Sequence, residues 1–549
     1  MIHDIVVVGG GIAGLMAAIE AKTASNKVAI VTKGNLFRSN SSLASGGINA
    51  VLDQNDKQAI QLHIDDTLKS GYGLCDKKSV EFMCQNAGAI VKKLLSYGVE
   101  FDSDKDGNIL QRSFGGGSSK RTCYVGDKTG ASITAALIKK AKSVGVEFIV
   151  NTFVLNIAKI NKSVSGIVAI RRFDSSVVVY PSKAVILAGG GYAGIYRGFS
   201  TNGQDFSGDM HAIALRAGLV LKDMEFVQFH PTGMAKSTYL VSEAARGEGG
   251  YLVNSDGVRF VDELDTRDKV SFAISNQIRN GKKVYIDLRH IPKDHIELKL
   301  PSLYKAAYNQ AGIDISSELL EIKPVAHYTM GGIENSMTKT SIDGLFVSGE
   351  CANIGVHGAN RLGGNSLLEG AVFGDLAGSL AKEYAKNSEY LPIDFNIVAR
   401  DQKIVDNIFD LDTTKNFNAM RITLGRVMFD KVGIIRDKKE LEGVFDYLKY
   451  LRRQAGNLHT IDKGRNNNVE LISILELRNA LEIAETIVLT ALKRDESRGA
   501  HKRVEFENQN ETLEKPILIN EIEKGFFNIW FEDNSLLNKI RKIFLNRIN

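Results

Sequence analysis

Cysteine is scarce in this 549-residue sequence, and no two cysteines form a C-x-x-C pair. Without such a pair the chain carries no sequence signal for an iron–sulfur cluster or a zinc knuckle, so we expect no metal site. The thiols are expected to be free, in a reducing compartment. The four cysteines are Cys75, Cys84, Cys123 and Cys351.

Long apolar runs and a strong charge bias are also missing. No apolar run reaches the roughly 18 residues that a membrane span needs. The net charge of +5 is small for this length and indicates no nucleic-acid function, although it suits an anionic ligand. A strand predicted from residue 3 leaves no room for a signal peptide. These absences predict a cytoplasmic protein.

Proline is scarce as well, with 7 residues against 52 glycines. Such an excess of glycine indicates many tight backbone approaches, which a nucleotide site would explain. The length predicts two to four structural units rather than one core.

The N-terminal segment predicts a strand, a glycine turn and a helix. Its apolar run ends in a G-x-G-x-x-G pattern formed by Gly9, Gly11 and Gly14. The first glycine permits the turn, the second admits a pyrophosphate, and the third allows the helix to pack on the strand. A second strand completes the βαβ unit, but it ends in Thr32 and Lys33 rather than the acidic residue that holds the NAD ribose. Ordinary NAD binding is therefore disfavoured.

Two later strands also lead into glycine-rich turns, one before Ala188 and Gly189 and one before Glu350. We expect these junctions to meet the first one around a single cofactor. The intervening segment, about 226–341, has mixed strand and helix signals and is predicted to be an inserted unit. Small ligands usually bind in the cleft between two such units.

Several longer motifs carry more information than the glycine turn. They are Gln228–Gly233, Ser242–Glu243 with Arg246–Gly250, Arg267–Ser271, His327–Gly332, His357–Leu362 and Glu496–His501. In this order they resemble the succinate dehydrogenase/fumarate reductase flavoprotein family, and the resemblance spans nearly the whole chain to Arg503.

The resemblance implies an α/β fold class with a Rossmann-like FAD-binding domain, an inserted α+β capping domain and a C-terminal helical domain. We predict the FAD-binding domain over residues 1–225 and 342–390, the capping domain over 226–341, the helical domain over 391–510 and a tail over 511–549. The tail residues 536–548 form a basic amphipathic pattern. This pattern indicates a helix that packs on the chain or a partner, or one that binds a membrane surface.

The resemblance also assigns FAD contacts. Glu350 is expected to bind ribitol hydroxyls, and Ser366 and Leu367 to lie near the isoalloxazine ring. The full set is Gly9, Gly11, Gly14, Thr32, Lys33, Ser39, Ser41, Gly46, Gly47, Ala188, Gly189, Asp209, Glu350, Ser366 and Leu367.

A four-carbon dicarboxylate needs cations and donors at both ends and a proton source near its middle. By resemblance, His327 and Arg361 bind one carboxylate, and His230 and Ser242 bind the other. Arg267 is the implied proton donor to one carbon, while flavin N5 exchanges a hydride with the next.

An arginine proton donor must be re-protonated at once, because the arginine pKa is too high for proton loss in water. Glu243 and Arg246 resemble the relay that serves this purpose in the family. We therefore predict catalytic roles for Arg267, Glu243 and Arg246.

Two positions depart from the family pattern. Asn40 occupies the place of the histidine that links covalently to flavin in membrane-bound members, so FAD is predicted to be non-covalent. Ser45 stands where relatives usually have Gln or Glu. The missing covalent link favours fumarate reduction over succinate oxidation, and the change at Ser45 alters a second residue that tunes the flavin potential in the family.

L-aspartate oxidase is the nearest alternative, because it shares the fold and a non-covalent FAD. It generally has an acidic residue at the position of Phe114, which would pair with the substrate ammonium. Burying an ammonium beside a phenylalanine without a counter-ion would cost several kcal/mol, roughly. Phe114 therefore favours fumarate and succinate as substrates.

Partner proteins follow from what the chain lacks. With no cluster-binding cysteines, electrons are expected to come from a separate iron–sulfur subunit, which receives them from a membrane or soluble donor. The enzyme would then be cytoplasmic or peripheral on the cytoplasmic membrane through its partners. The alternatives are a stand-alone enzyme with a small donor and a non-catalytic flavin-binding subunit.

Overall fold

The computed structural model describes residues 2–203, 207–411 and 415–532, so the amphipathic segment predicted at 536–548 lies outside the described residues. The strands are β1 (His3–Val8), β2 (Val28–Val31), β3 (Ile48–Asn49), β4 (Gln111–Arg112), β5 (Thr122–Cys123), β6 (Glu147–Ile149), β7 (Thr152–Ile160), β8 (Ser163–Arg171), β9 (Val177–Leu187), β10 (Leu221–Lys222), β11 (Val227–Met234), β12 (Tyr251–Asn254), β13 (Val284–Asp287), β14 (Leu320–Thr329), β15 (Gly332–Glu334), β16 (Leu345–Val347), β17 (Ala352–Asn353), β18 (Ile435–Arg436), β19 (Lys502–Arg503), β20 (Ile517–Glu523) and β21 (Phe526–Phe531). The helices are α1 (Ile12–Ala21), α2 (Asn40–Leu43), α3 (Lys57–Ser70), α4 (Lys77–Ser96), α5 (Thr129–Ser143), α6 (Asp209–Arg216), α7 (Glu243–Gly247), α8 (Arg267–Arg279), α9 (Lys293–Lys299), α10 (Pro301–Ala311), α11 (Asn365–Lys386), α12 (Phe395–Asp410), α13 (Phe417–Lys431), α14 (Lys438–Ala455) and α15 (Val469–Lys493).

The largest sheet is centred on β1 and β9. Its order is β6-β2-β1-β9-β8-β7, and β16 pairs with the C-terminal half of β9. β1 runs parallel to β2 and β9, with Ile5 opposite Val28 on one side and Ala184 on the other. The first half of β9 instead forms an antiparallel hairpin with β8. The strands that precede the three glycine-rich turns thus lie in one sheet and end at the same edge.

Helices α1 and α11 pack against each other beside this sheet. Three glycines of α11, four residues apart, lie on one helix face, and a Cβ added at Gly374 would come within 2.5 Å of the Ala13 carbonyl oxygen. Backbones this close require glycine, because any side chain would separate them. Both helices begin at the edge of the sheet where the glycine turns are found.

A second unit has its own sheet and core. The antiparallel sheet β11-β14-β13-β12 packs against α7–α10, and its apolar core runs from Met234 to Ile322. The large sheet contains strands that precede this unit in the chain and a strand that follows it, so the unit is an insertion.

The C-terminal part combines helices α12–α15 with a five-stranded sheet of order β17-β15-β10-β20-β21. Residues 511–532 were assigned to a tail, whereas the structure places β20 and β21 there, with Ile519 opposite Leu221. This pairing joins segments far apart in sequence, which local composition does not reveal. Within the described residues, no helix is long and apolar enough to cross a membrane.

The predicted fold class is confirmed: a Rossmann-like domain, an inserted α+β unit and C-terminal helices. The exact domain boundaries remain a prediction. One difference is that β15, which we placed in the capping domain, pairs with β10 and β17 rather than with the sheet of the inserted unit.

Candidate active site

A cavity of about 700 Å³ lies where the large sheet, α1, α11 and the inserted unit meet. This volume is in the range that holds a cofactor or a drug-sized ligand. Gly14 and Arg246 stand behind its wall, and the other predicted site residues line it. The lining residues are Gly9, Gly11, Thr32, Lys33, Ser39, Ser41, Gly46, Gly47, Phe114, Ala188, Gly189, Asp209, His230, Ser242, Glu243, Arg267, His327, Glu350, Arg361, Ser366 and Leu367.

Two helix N-termini bound the cavity. The N-caps of α1 and α11 are Gly11 and Gly364, which have no side chain to cap the helix, and neither helix has an acidic residue in its first turn; in α1 the Ile12 N–H donates to Ser41 Oγ at 3.1 Å. Uncapped N-termini present backbone N–H groups and a positive dipole end, which favour phosphate or another anion. A cofactor with a pyrophosphate fits this wall.

Each glycine of the first turn occupies its position for a different structural reason. A Cβ at Gly9 would lie 2.2 Å from the Ala188 carbonyl oxygen, and one at Gly14 would lie 2.0 Å from the Gly9 carbonyl oxygen. Gly11 has no backbone atom that close, and a Cβ there would come 3.2 Å from Ser41 Oγ. Gly9 and Gly14 therefore bring chain segments together, whereas Gly11 keeps the cavity wall thin.

Lys33 and Asp209 form a buried ion pair at one end of the cavity. Lys33 Nζ lies 2.7 Å from a carboxylate oxygen of Asp209 and 2.7 Å from one of Glu476 on α15. Although burial opposes the charge, the two carboxylates raise the pKa of Lys33. The C-terminal helices thus anchor a residue of the predicted cofactor wall.

Glu350 accepts hydrogen bonds from Thr329, at 2.9 Å from the backbone nitrogen and 3.1 Å from the hydroxyl. Burial nevertheless raises the pKa of Glu350 to about 7. A carboxyl group in this state can both accept from and donate to hydroxyl groups, as a ribitol contact requires.

Asn40 lines the same cavity at the start of α2. Its amide oxygen accepts from the Gly203 backbone nitrogen at 3.3 Å, and its buried Nδ2 has no hydrogen-bond partner among the described residues. An amide nitrogen donates hydrogen bonds and, unlike a histidine ring nitrogen, is not nucleophilic.

The other end of the cavity carries an excess of positive charge. Arg361 is 4% exposed, and its Nε has no hydrogen-bond partner among the described residues. Burial, followed by the nearby Arg267, lowers the pKa of Arg361 to about 10. Buried guanidinium groups are normally paired, so this arrangement indicates a place for an anion.

Arg267 is the first residue of α8 and binds two other residues of the inserted unit. Its Nη2 lies 2.9 Å from Glu243 Oε2, and its Nη1 donates to Gln228 Oε1 at 3.2 Å. Gln228 Nε2 in turn donates to the Arg361 carbonyl oxygen at 2.8 Å. Gln228 therefore connects the segments that carry the two arginines.

Glu243 connects Arg267 to Arg246. Its Oε1 accepts from the Gly115 backbone nitrogen at 2.6 Å, and its Oε2 lies 4.0 Å from Arg246 Nη2. Burial would raise the pKa of Glu243, but the two arginines outweigh it and hold the pKa below its usual range. A charged carboxylate between two guanidinium groups has the order that the predicted relay requires.

Two neutral histidines lie beside these arginines. The ring centroids of His230 and His327 are 5.2 Å apart. Burial and the neighbouring arginines hold both pKa values well below the ordinary one. The Thr232 backbone N–H donates to His230 Nδ1 at 3.3 Å, which leaves the ring proton on Nε2. His230 can thus donate a hydrogen bond to a carboxylate without being charged.

Phe114 closes the cavity next to the glycine segment. A Cβ at Gly46 would lie 3.0 Å from its ring, and the Arg112 guanidinium lies 5.6 Å from its centroid. Ser242 caps α7 by accepting from the Ala244 backbone nitrogen at 3.3 Å. Phe114 gives the cavity an apolar wall, and the neighbouring carboxylate of Glu243 is already paired with Arg267.

The motif near residue 496 supports the site from behind. Arg494 and Arg498 are buried, and both bind Glu496. The Ala500 backbone nitrogen donates to the Ala359 carbonyl oxygen at 2.9 Å. This contact fixes the loop that leads to Arg361.

Some site residues were not predicted from the sequence. Thr201 binds His327 Nδ1 at 2.8 Å, and Tyr72 donates to Asp268, beside Arg267, at 2.7 Å. Gln228 and Thr329 lie inside quoted motifs and could have been found there. Thr201 and Tyr72 have no such signal, because only the fold brings them near.

Comparisons with known proteins agree with this geometry. A family profile described as "FAD binding domain" matches residues 4–367, and one described as "Fumarate reductase flavoprotein C-term" matches residues 421–529. The chain is 36% identical over 536 residues to the fumarate reductase flavoprotein subunit of Proteus vulgaris, covering 91% of this chain and 89% of that protein. It is also 36% identical over 535 residues to a fumarate reductase (CoM/CoB) chain of Methanothermobacter marburgensis, covering 94% and 97%. A solved E. coli quinol fumarate reductase chain superposes with a TM-score of 0.93 at 33% identity, with 97% of each chain covered.

The fold and the cavity together define an FAD-dependent oxidoreductase of the class that acts on CH–CH groups. More specifically, the chain belongs to the succinate dehydrogenase/fumarate reductase flavoprotein family.

Proposed function

We propose that this protein is the catalytic flavoprotein subunit of a fumarate reductase that reduces fumarate to succinate, with Arg267 as the proton donor. The observation that carries the proposal is the buried and unneutralised Arg361, which shares a cavity with Arg267 and two neutral histidines. A dianion would neutralise the two arginines and accept hydrogen bonds from His230 and His327. When bound, FAD supplies the hydride chemistry.

The chain's own residues account for the remaining steps. Arg361 and His327 hold one carboxylate, and His230 and Ser242 hold the other. Arg267 lines the same cavity and donates its proton to one of the two double-bonded carbons, the one next to the carbon that takes up the hydride.

Re-protonation then takes place through Glu243 and through Arg246, which does not line the cavity. Glu243 contacts Arg267 on one side and Arg246 on the other, so it passes a proton between them without opening the cavity to water.

The proposed cofactor is non-covalent FAD, and the proposed direction is fumarate reduction. Asn40 supports both, because an amide cannot replace the linking histidine. Denaturation in detergent should release all flavin from the protein; flavin that stays with the polypeptide on a denaturing gel would refute the non-covalent assignment.

Electrons are proposed to reach FAD through an iron–sulfur subunit. They come from a donor at the membrane or in the cytoplasm. The likeness to both a quinol enzyme and a CoM/CoB enzyme leaves two donor classes to compare. The preparation purified with its partners should be assayed with a quinol and, separately, with a pair of thiols.

The first experiment is an anaerobic assay with reduced viologen and fumarate, run beside L-aspartate with an electron acceptor. Fumarate-dependent viologen oxidation without aspartate turnover supports the proposal. Formation of iminosuccinate from aspartate would identify an L-aspartate oxidase instead. No turnover on either substrate by the FAD-loaded protein would indicate a non-catalytic flavin-binding subunit.

A further inference from the structure

Arg361 lies on a tyrosine ring that belongs to a buried hydrogen-bonded cluster. The Arg361 guanidinium carbon is 4.3 Å from the ring centroid of Tyr328, the residue after His327 on β14. The Tyr328 hydroxyl donates to Glu369 Oε2 at 2.8 Å and lies 3.1 Å from His357 Nε2. Tyr328 and Arg361 line the cavity, whereas Glu369 and His357 do not.

The protonation states of this cluster follow from its surroundings. Burial and Glu369 raise the pKa of Tyr328 well above its ordinary value, so the phenol keeps its proton and donates it. Burial lowers the pKa of His357, so the ring is neutral. The phenol proton points to Glu369, and His357 Nε2 lies 3.1 Å from the phenol oxygen and 3.4 Å from Glu369 Oε2, so an N–H on this nitrogen can donate to either partner.

We propose that Tyr328 is a positioning residue for the substrate-binding arginine, and that Glu369 and His357 hold its ring in place. A cation is attracted to the face of an aromatic ring. Donation to a carboxylate increases the electron density of the phenol, and hydrogen-bonded chains polarise one another. The cluster thus holds Arg361 without neutralising it, which leaves the guanidinium available for a carboxylate.

A directly paired arginine would behave differently. If Glu369 contacted Arg361, an incoming carboxylate would have to displace it before binding. The intervening ring keeps the carboxylate of Glu369 away from the cavity, and Tyr328 is 4% exposed against 1% for Glu369.

The inference rests on the proposed function, because it assumes that Arg361 binds a dicarboxylate. Since Arg361 should hold that carboxylate equally in the ground state and the transition state, losing its support should act on KM more than on kcat. A merely structural defect would instead reduce FAD content and kcat together.

The test uses Tyr328→Phe and Glu369→Gln in the FAD-loaded protein. Each should raise the KM for fumarate, and the Kd for the non-reacting dicarboxylate malonate, by about three- to ten-fold, with kcat within about two-fold of wild type. The double variant should be no worse than either single one, because both break the same chain of contacts.

A matched control is Tyr196→Phe, which removes one buried hydroxyl that donates to the Val432 carbonyl oxygen at 3.2 Å, outside the cavity. It should leave KM and Kd unchanged. Unchanged KM and Kd in both cluster variants would overturn the inference, as would a loss of kcat and FAD content without a change in KM. If wild type itself neither binds malonate nor reduces fumarate, the proposed function fails, and this outcome is distinct from the other two.

Discussion

Two groups of buried arginines in this protein have opposite surroundings. Arg494, near the C-terminus, is 0% exposed and contacts the carboxylates of Asp223, Glu225 and Glu496. Arg361, in the cavity, is also buried, but its nearest attractive contact is the face of Tyr328. The same residue type therefore stabilises the fold in one region and is kept ready for a ligand in the other.

The pKa values express this difference. The carboxylates around Arg494 outweigh its burial and raise its pKa, whereas burial lowers the pKa of Arg361 to about 10. A charge whose pKa is lowered in the free protein gains most when a counter-ion arrives. Arg361 therefore favours the binding of an anion, whereas Arg494 already has its carboxylate partners within the protein.

The largest effect is expected at Arg267. This residue pairs with the carboxylate of Glu243, as Arg494 pairs with its carboxylates, and it also lines the cavity, as Arg361 does. Arg267→Ala should lower fumarate turnover by about 10³-fold, since it removes the proton source. FAD content should not change. Residual activity within ten-fold of wild type would show that another group donates the proton.

The next effect separates the two regions by stability. Arg494→Met should destabilise the protein by about 3–5 kcal/mol, because it leaves buried carboxylates without their counter-ion. Arg361→Met should cause no loss, since it removes an unpaired buried charge. Urea unfolding of the FAD-free proteins, followed by far-UV circular dichroism, measures both. Similar losses in the two variants would contradict the distinction.

A smaller effect is the stabilisation that a dicarboxylate provides. Malonate at about 100 times its Kd should stabilise wild type by about 2.7 kcal/mol. Arg361→Met should abolish this shift, and Tyr196→Phe should keep it. Thermal unfolding with and without malonate gives the answer, and a shift that survives in Arg361→Met would place the anion elsewhere.

The smallest effect, counted for one histidine over one pH unit, concerns pH and applies to both regions. Burial lowers the pKa of His63 to about 4 and that of His211 to about 3, and it also lowers the pKa of His230, His327 and His501. The unfolded chain binds these protons below its ordinary histidine pKa of about 6.5, while the folded chain does not, so stability is present above that pH and is lost as pH falls. Each histidine contributes up to about 1.4 kcal/mol per pH unit.

This window extends from about 6.5 down to about 4 for His63. Unfolding free energies measured across it should fall steadily with acid. Saturating malonate should reduce the slope, because a dianion favours protonation of His230 and His327 but not of the distant histidines. An identical slope with malonate would argue against histidines at the anion site.

Local signals predicted the parts of the fold that local geometry controls. The βαβ unit follows from an apolar run, a glycine turn and helical spacing, and the structure has β1, α1 and β2 in those places. Helix α15 lies within the predicted helical domain, 391–510, and it is buried on more than one face because α14 and the β20–β21 hairpin both cover it. The hairpin was missed because its strands pair with β10, far away in sequence.

The candidate site was predictable to the extent that its residues belong to motifs. Arg267, His327 and Arg361 were predicted from the sequence motifs that contain them, and the structure brings them to one cavity. The motifs do not reveal which buried arginine is paired with a carboxylate, since Arg361 and Arg498 both lie in family motifs. Arg498 binds Glu496 within its own motif and also Glu514 outside it, whereas the motif of Arg361 contains no carboxylate.

The late pairing of β20 with β10 also has a consequence for how the protein is made. Asp223 accepts from the Ile517 backbone nitrogen at 2.9 Å and meets Arg494, and the chain continues from Asp223 directly to Gln228 and His230. During synthesis β10 leaves the ribosome long before β20, so Leu221 gains its partner Ile519 only after most of the chain has emerged. Completion of the five-stranded sheet is therefore a late event, whereas the strand that carries His230 pairs earlier, with β14.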